Sequence, residues 1–160
     1  GDEAAAGALA ARELLPLAAV LDEASGADAS MAVTRRLAIA DAYRLAGRPR
    51  EALAIYDELD RAHPDRAEIL LGRAECLVAM DDGLRDAMLI YRRLGASGPG
   101  AGASYWLAQL RMLELIERSG RNREQILPRL ARLRAESPEL GGPRFRARFE
   151  ALRRRQESAP

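Results

Sequence analysis

Lysine is absent: all 25 basic residues of this 160-residue chain are arginine. That excludes the lysine of a phosphate-cradling loop, the nucleotide-pairing lysine of a kinase and Schiff-base chemistry. A single cysteine excludes an internal disulfide framework and a cysteine-based zinc site. A single histidine excludes His-rich metal and catalytic clusters. No apolar run approaches the ~18 residues of a membrane span. What remains is 48% hydrophobic and 31% charged, enough for one domain with a core and too apolar for disorder. The arginine and alanine bias reads as the coding bias of a GC-rich, bacterial genome. The chain begins at Gly1 rather than Met and so reads as a processed or excised piece. A soluble, cytoplasmic location is expected, with the periplasm as alternative if Gly1 follows a removed signal.

The net charge of +1 hides an asymmetry. Residues 1–117 carry 13 Arg against 19 acids, and residues 118–160 carry 12 Arg against five. An acidic body with a basic end can orient a partner.

The chain repeats itself. Ala52, Ile55, Tyr56, Leu59 and Pro64 recur 35 residues on as Ala87, Ile90, Tyr91, Leu94 and Pro99. A further 39 residues gives Ile126, Leu130, Leu133 and Pro138. Each unit reads as two helices. Leu37, Ile39, Ala40, Tyr43 and Leu45 supply one apolar face, closed by Gly47; Pro49 opens the partner helix. His63-Pro64-Asp65 makes the turn, with Asp65 expected to cap the next helix. Leu70, Leu71, Ala74, Leu77 and Val78 repeat the inward face, followed by the turn Asp81-Asp82-Gly83. A third unit runs from about Ala103 to Ser119 and from Asn122 to Glu136, where Asn122 with Gln125 reads as a capping box. Leu14-Leu15-Pro16, Ala19 and Leu21 line up with Ile126-Leu127-Pro128, Ala131 and Leu133, so residues 9–25 read as the second helix of a partial repeat. Pro16 and Pro128 should kink their helices or shift their starts. Gly26 to Ser30 reads as a loop. After the break at residues 138–143, Phe145, Phe149 and Leu152 form the stripe of a capping helix over 143–155.

The expected fold is an all-α solenoid of about three antiparallel helix hairpins, in one domain over 1–160. The hairpins fall at 33–65, 66–101 and 102–138, with additional terminal helices. This pattern resembles the tetratricopeptide repeat, with its period of ~34 residues, small residue at the helix crossing, aromatic four later and closing proline. Ala52/Tyr56/Pro64 and Ala87/Tyr91/Pro99 carry the resemblance. It implies a noncatalytic scaffold that holds a protein or peptide on the face formed by the first helices. The implied contacts are Thr34, Leu37, Asp41, Arg44 and Leu45, then Glu68, Leu71, Glu75, Val78 and Ala79. In the third unit they are Ala103, Trp106, Leu110, Leu113 and Glu114. Leu37 and Asp41, with Leu71 and Glu75, occupy places where the family's carboxylate clamp carries basic and Asn residues. Acids there disfavour a terminal carboxylate and suit a basic partner peptide. Trp106 divides between a core role, which is favoured, and an interface anchor.

Other constellations carry less. His63 reads as a turn residue and Cys76 as a buried inert thiol. The glycine-rich stretch 95–102 follows a helix rather than a strand, and reads as a turn. Asp57, Glu58 and Asp60 read as a solvated face. Arg144, Arg146, Arg148, Arg153, Arg154 and Arg155, with Arg121, Arg123, Arg129, Arg132 and Arg134 nearby, suit an acidic partner or nucleic acid, although aromatic interleaving is thin and nucleic acid is disfavoured. Self-assembly, as a homo-oligomer or in a larger complex through the N-terminal helix, is the other alternative. No catalytic residue, cofactor or metal is expected.

Overall fold

The computed structural model describes residues 29–80 and 83–158, which form seven α-helices and no strand among them. The helices are α1 (Ala29–Leu45), α2 (Pro49–Ala62), α3 (Ala67–Ala79), α4 (Leu84–Gly95), α5 (Ala103–Ser119), α6 (Ile126–Glu136) and α7 (Pro143–Glu157). The expected partial repeat over 9–25, with Pro16, and the turn residues Asp81 and Asp82 lie outside the described residues. Ala29 and Ser30, expected in a loop, already belong to α1. By compactness the chain divides into two units, Gly1–Ala87 and Met88–Pro160, with the division inside α4.

In the first unit α1, α2 and α3 all pack on one another. Alanine marks the close approaches: Ala40, Ala52 and Ala74 are fully buried. α1 ends at Leu45, and the Arg48 N–H reaches back to the Tyr43 carbonyl at 2.9 Å around left-handed Gly47. That is a Schellman stop, and glycine bears the positive φ at least cost. Pro49 then opens α2, where its missing N–H does no harm.

Tyr56 of α2 is the centre of this unit. It is fully buried, and its hydroxyl donates to Asp41 Oδ1 of α1 at 2.7 Å. Its ring lies flat against Gly72 of α3: a β-carbon there would come within 2.2 Å of Tyr56 Cζ. On the surface, Arg73 of α3 bridges Asp57 at 2.5 Å and Asp60 at 3.1 Å, and Arg36 of α1 pairs with Glu58. The acids expected to form a solvated face do lie at the surface, and there they also pair across helices.

Two expected caps differ from the structure. The N-cap position of α3 is Arg66, and Asp65 precedes it in a left-handed conformation. Asn122 is also left-handed and makes no side-chain cap. Instead, the Gln125 N–H bonds to the Asn122 carbonyl at 3.0 Å, closing a 3-10 turn before α6. A capping side chain needs an extended backbone at its own residue, and a tight turn supplies the opposite. Pro128 falls in the first turn of α6, where the backbone N–H groups have no helical partner. It shifts the start of the helix.

In the second unit α5, α6 and α7 pack on one another. Tyr105, Trp106, Leu110, Leu113, Ile126, Leu130, Leu133, Leu140, Phe149 and Leu152 form its core. The stripe read for the terminal helix is borne out: Phe149 and Leu152 are buried in this core, and Phe145 packs at its edge. The Trp106 ring meets Tyr105 and Phe149 edge-on, at 4.9 and 6.3 Å between centroids. Gly141 approaches the indole so closely that a β-carbon would lie 2.3 Å from it.

Gly72 supplies a test with an unambiguous sign. In an unconstrained helix Gly→Ala gains about 1 kcal/mol. Here the added methyl meets a ring held at its far end by a hydrogen bond, and overpacking of this kind costs about 1–3 kcal/mol. Urea unfolding of Gly72→Ala should give a net loss of stability.

Candidate functional site

The first helices α1 and α3 pack side by side in the first unit. Leu37 and Asp41 fall on one row of α1, and Leu71, Glu75 and Val78 on one row of α3, all half-buried. Helical spacing sets this arrangement: residues three and four apart share a face. Thr34 and Leu45 are exposed on α1, and Glu68 and Ala79 on α3. Glu68 is paired with Arg66. On each helix the expected contact residues are thus at least partly exposed, with Leu37, Leu71 and Val78 the apolar members of the two rows.

Their charges are committed inward. Asp41 Oδ1 accepts from both Tyr56 and Arg44, at 2.7 and 2.9 Å. Burial, reinforced by the Asp41 carboxylate, pushes the Tyr56 hydroxyl well above the ordinary phenol value. The Arg44 guanidinium stays charged despite burial, because Asp41 and Tyr56 accept its hydrogen bonds. Asp41 is a structural acceptor before it is a contact for a basic ligand.

The third first helix corrects the sequence reading. Trp106, Leu110 and Leu113 are buried at 5%, 0% and 1% exposure, so they are core and cannot meet a partner. The cause is a slip of one residue. Ile69, Leu70, Gly72, Ala74 and Cys76 are buried on α3; their buried counterparts on α5 are Tyr105, Trp106, Ala108, Leu110 and Met112, 36 residues on. The expected contacts were placed 35 residues on, and one residue turns a helix by about 100°. The outer row of α5 is instead Ser104, Leu107, Arg111 and Glu114. Ala103 is exposed at the helix start, and Glu114 keeps its place. Glu114 accepts from Arg111 at 2.9 Å and from Arg148 of α7 at 2.7 Å. The signal was available in the single Trp, which falls at the place of Leu70 once the step from the preceding Tyr is one residue longer.

The arginines of α7 are largely matched. Arg148 pairs with Glu114, Arg146 with Glu139, and Arg153 with Glu157. Arg155 grips Glu117 through two bonds of 3.0 and 2.8 Å, and holds its carboxyl below the usual range. Arg144 and Arg154 are exposed. Half of these six arginines, Arg146, Arg148 and Arg155, therefore fasten α7 to the rest of its unit.

Cys76 is fully buried, and burial pushes its thiol up to about 11. His63 closes α2, its N–H bonded to the Leu59 carbonyl at 2.8 Å. Among the described residues there is no group of acids, His and Cys able to hold a metal, and no helix long and apolar enough to cross a membrane.

The Cys76 shift fixes a pH dependence. The unfolded chain releases the thiol proton near 9.0, whereas the fold retains it to about 11. The neutral thiol thus favours the fold fully below the lower value, and that advantage is lost as pH rises, at most about 1.4 kcal/mol per pH unit. Tyr56, raised in the same direction, adds to the loss above about pH 10. Stability should fall between pH 9 and 11, less steeply in Cys76→Ala. The native thiol should also resist an aromatic disulfide reagent at pH 8 until the chain is unfolded.

Residues 43–111 match the family model of the tetratricopeptide repeat. No curated protein and no solved structure gives a match. The matched span contains the buried Ala52–Tyr56 and Ala87–Tyr91 pairs and the first helices α3 and most of α5. Over that span the chain is similar to the tetratricopeptide repeat, whose fold is typically a noncatalytic scaffold for protein–protein interaction.

Proposed function

We propose that the protein is a noncatalytic scaffold that holds a partner protein on the α1–α3 face of its first unit. The observation that supports this reading is that Leu37, Leu71 and Val78 are only half-buried on two helices that pack on one another, with Glu75 and the Asp41–Arg44 pair on the same helical rows. An apolar centre with a polar rim is the composition of a protein interface. The occupant is a peptide segment that places apolar side chains on Leu37, Leu71 and Val78. Asp41 contributes less to its charge preference than the sequence suggests, because its carboxylate already serves Tyr56 and Arg44.

Perturbed groups in this unit favour binding over chemistry. Tyr56 and Cys76 are both shifted toward their neutral forms by burial. A nucleophile or general base needs the reverse, a form poised to accept or give up a proton near neutral pH.

A displayed library of random peptides, selected on the whole chain, tests the face. Ligands so obtained should lose at least tenfold in affinity, about 1.4 kcal/mol, on Leu71→Arg with Val78→Arg. Both side chains are partly exposed, so thermal unfolding should be little changed. Ligands whose affinity is indifferent to this pair of changes would refute the assignment of the face.

A further inference from the structure

A groove of about 320 Å³ lies open between α6 and α7 in the second unit. Leu130, Leu140 and Phe149 form its floor, and Leu127, 38% exposed, stands at its wall. Arg134 and Arg153 lie on its rim with Glu150 and Glu157. The helix order explains why it is apolar. α3, a first helix, packs on the preceding pair α1 and α2, and α7 packs on α5 and α6 in the same manner. α7 therefore stands where a first helix stands. The groove beside it is the seat in which a further second helix would bury its stripe, and no described helix occupies it.

We propose that this seat takes residues 9–25 of a second copy of the chain, joining copies head to tail. Two independent observations select that occupant. The first is its sequence: Leu14-Leu15-Pro16, Ala19 and Leu21 match Ile126-Leu127-Pro128, Ala131 and Leu133 of α6, which is a second helix. The second is charge. Residues 1–28 carry six acids against one Arg, whereas residues 118–160 carry 12 Arg against five acids. Glu13, Asp22 and Glu23 flank the apolar stretch of the incoming segment; the rim of the seat itself carries Arg134 and Arg153 beside Glu150 and Glu157, so the attraction is that of the basic end as a whole. The two ends of one chain are thus opposite in net charge. The contact is heterologous, using a different patch on each copy, so it propagates instead of closing as a two-fold dimer. The proposal does not rest on the partner face of the first unit, and changes at Leu71 and Val78 should leave it intact.

Sedimentation of the full chain over a wide concentration range is the test. The wild type should move from 17.5 kDa through dimers to larger species as concentration rises, and less so at high salt. Leu127→Glu in the seat, or Leu14→Glu with Leu21→Glu in the segment, should each hold the chain at monomer mass. Mixing those two variants is the decisive arm. Each retains one working end, so together they should form a dimer and stop there. Arg134→Glu with Arg153→Glu, both exposed positions, repeats the seat disruption with the apolar lining intact, and should weaken association at least tenfold. A wild type that stays at 17.5 kDa throughout overturns the proposal, whether the seat is then filled by the chain's own segment or by another protein. So does a mixture that fails to dimerise or that grows beyond two.

Discussion

One side chain ties three helices together. Tyr56 stands on α2, lays its ring on the bare backbone of Gly72 in α3, and donates its hydroxyl to Asp41 in α1. Each part constrains the others. The ring fits because Gly72 has no side chain, and the buried hydroxyl is tolerable because Asp41 accepts it. Arg44 also donates to Asp41, so the same carboxylate oxygen serves two partners. The small residues Ala40, Ala52 and Ala74 let the helices approach closely enough for this geometry. The outer face of α1 and α3 is therefore positioned by a buried polar contact as much as by apolar packing.

Charge follows a similar rule in the second unit. Counted along the sequence, the last helix looks like a basic surface in search of an anion. Folded, Arg148 and Arg155 reach back to Glu114 and Glu117 on α5, and Gln156 adds a third bond to Glu117 at 2.7 Å. These are partly exposed contacts, individually worth little to stability. Their effect is on orientation: they fix the rotation of α7 about its axis, so that Phe149 and Leu152 point into the core. The net charge of a segment is a fair guide to long-range attraction and a poor guide to which arginines remain available.

The second helices were the legible part of the fold. Tyr56 and Tyr91, with Ala52 and Ala87, repeat at a fixed interval because each is buried at an equivalent crossing, and burial is what sequence patterning records. The capping helix was legible for the same reason, through Phe149 and Leu152. The face of α5 was not. A partner-facing row has no hydrophobic signature of its own and must be counted from a neighbouring helix. The step from Tyr91 to Trp106 is one residue longer than that from Tyr56 to Leu70, enough to exchange surface for core. The caps at Asp65 and Asn122 failed for a different reason. Residue type suggests a cap, but the backbone angle decides it, and both residues are left-handed.

Repetition also creates a problem that a closed fold does not have. A helix between two others buries a stripe on each side, whereas a terminal helix must leave one side polar or find cover for it. α7 resolves this only in part. Its inner side carries Phe149 and Leu152, yet the groove it shares with α6 remains floored by Leu130, Leu140 and Phe149 and walled by Leu127. A cap selected only for solubility would place charge across that floor. Here the charges sit on the rim, where Arg153 and Glu157 are 3.8 Å apart and leave the apolar floor open. Apolar floor with charged rim is the arrangement that excludes water from a seated helix. The side chains of α6 and α7 thus leave a place for a further helix beside them.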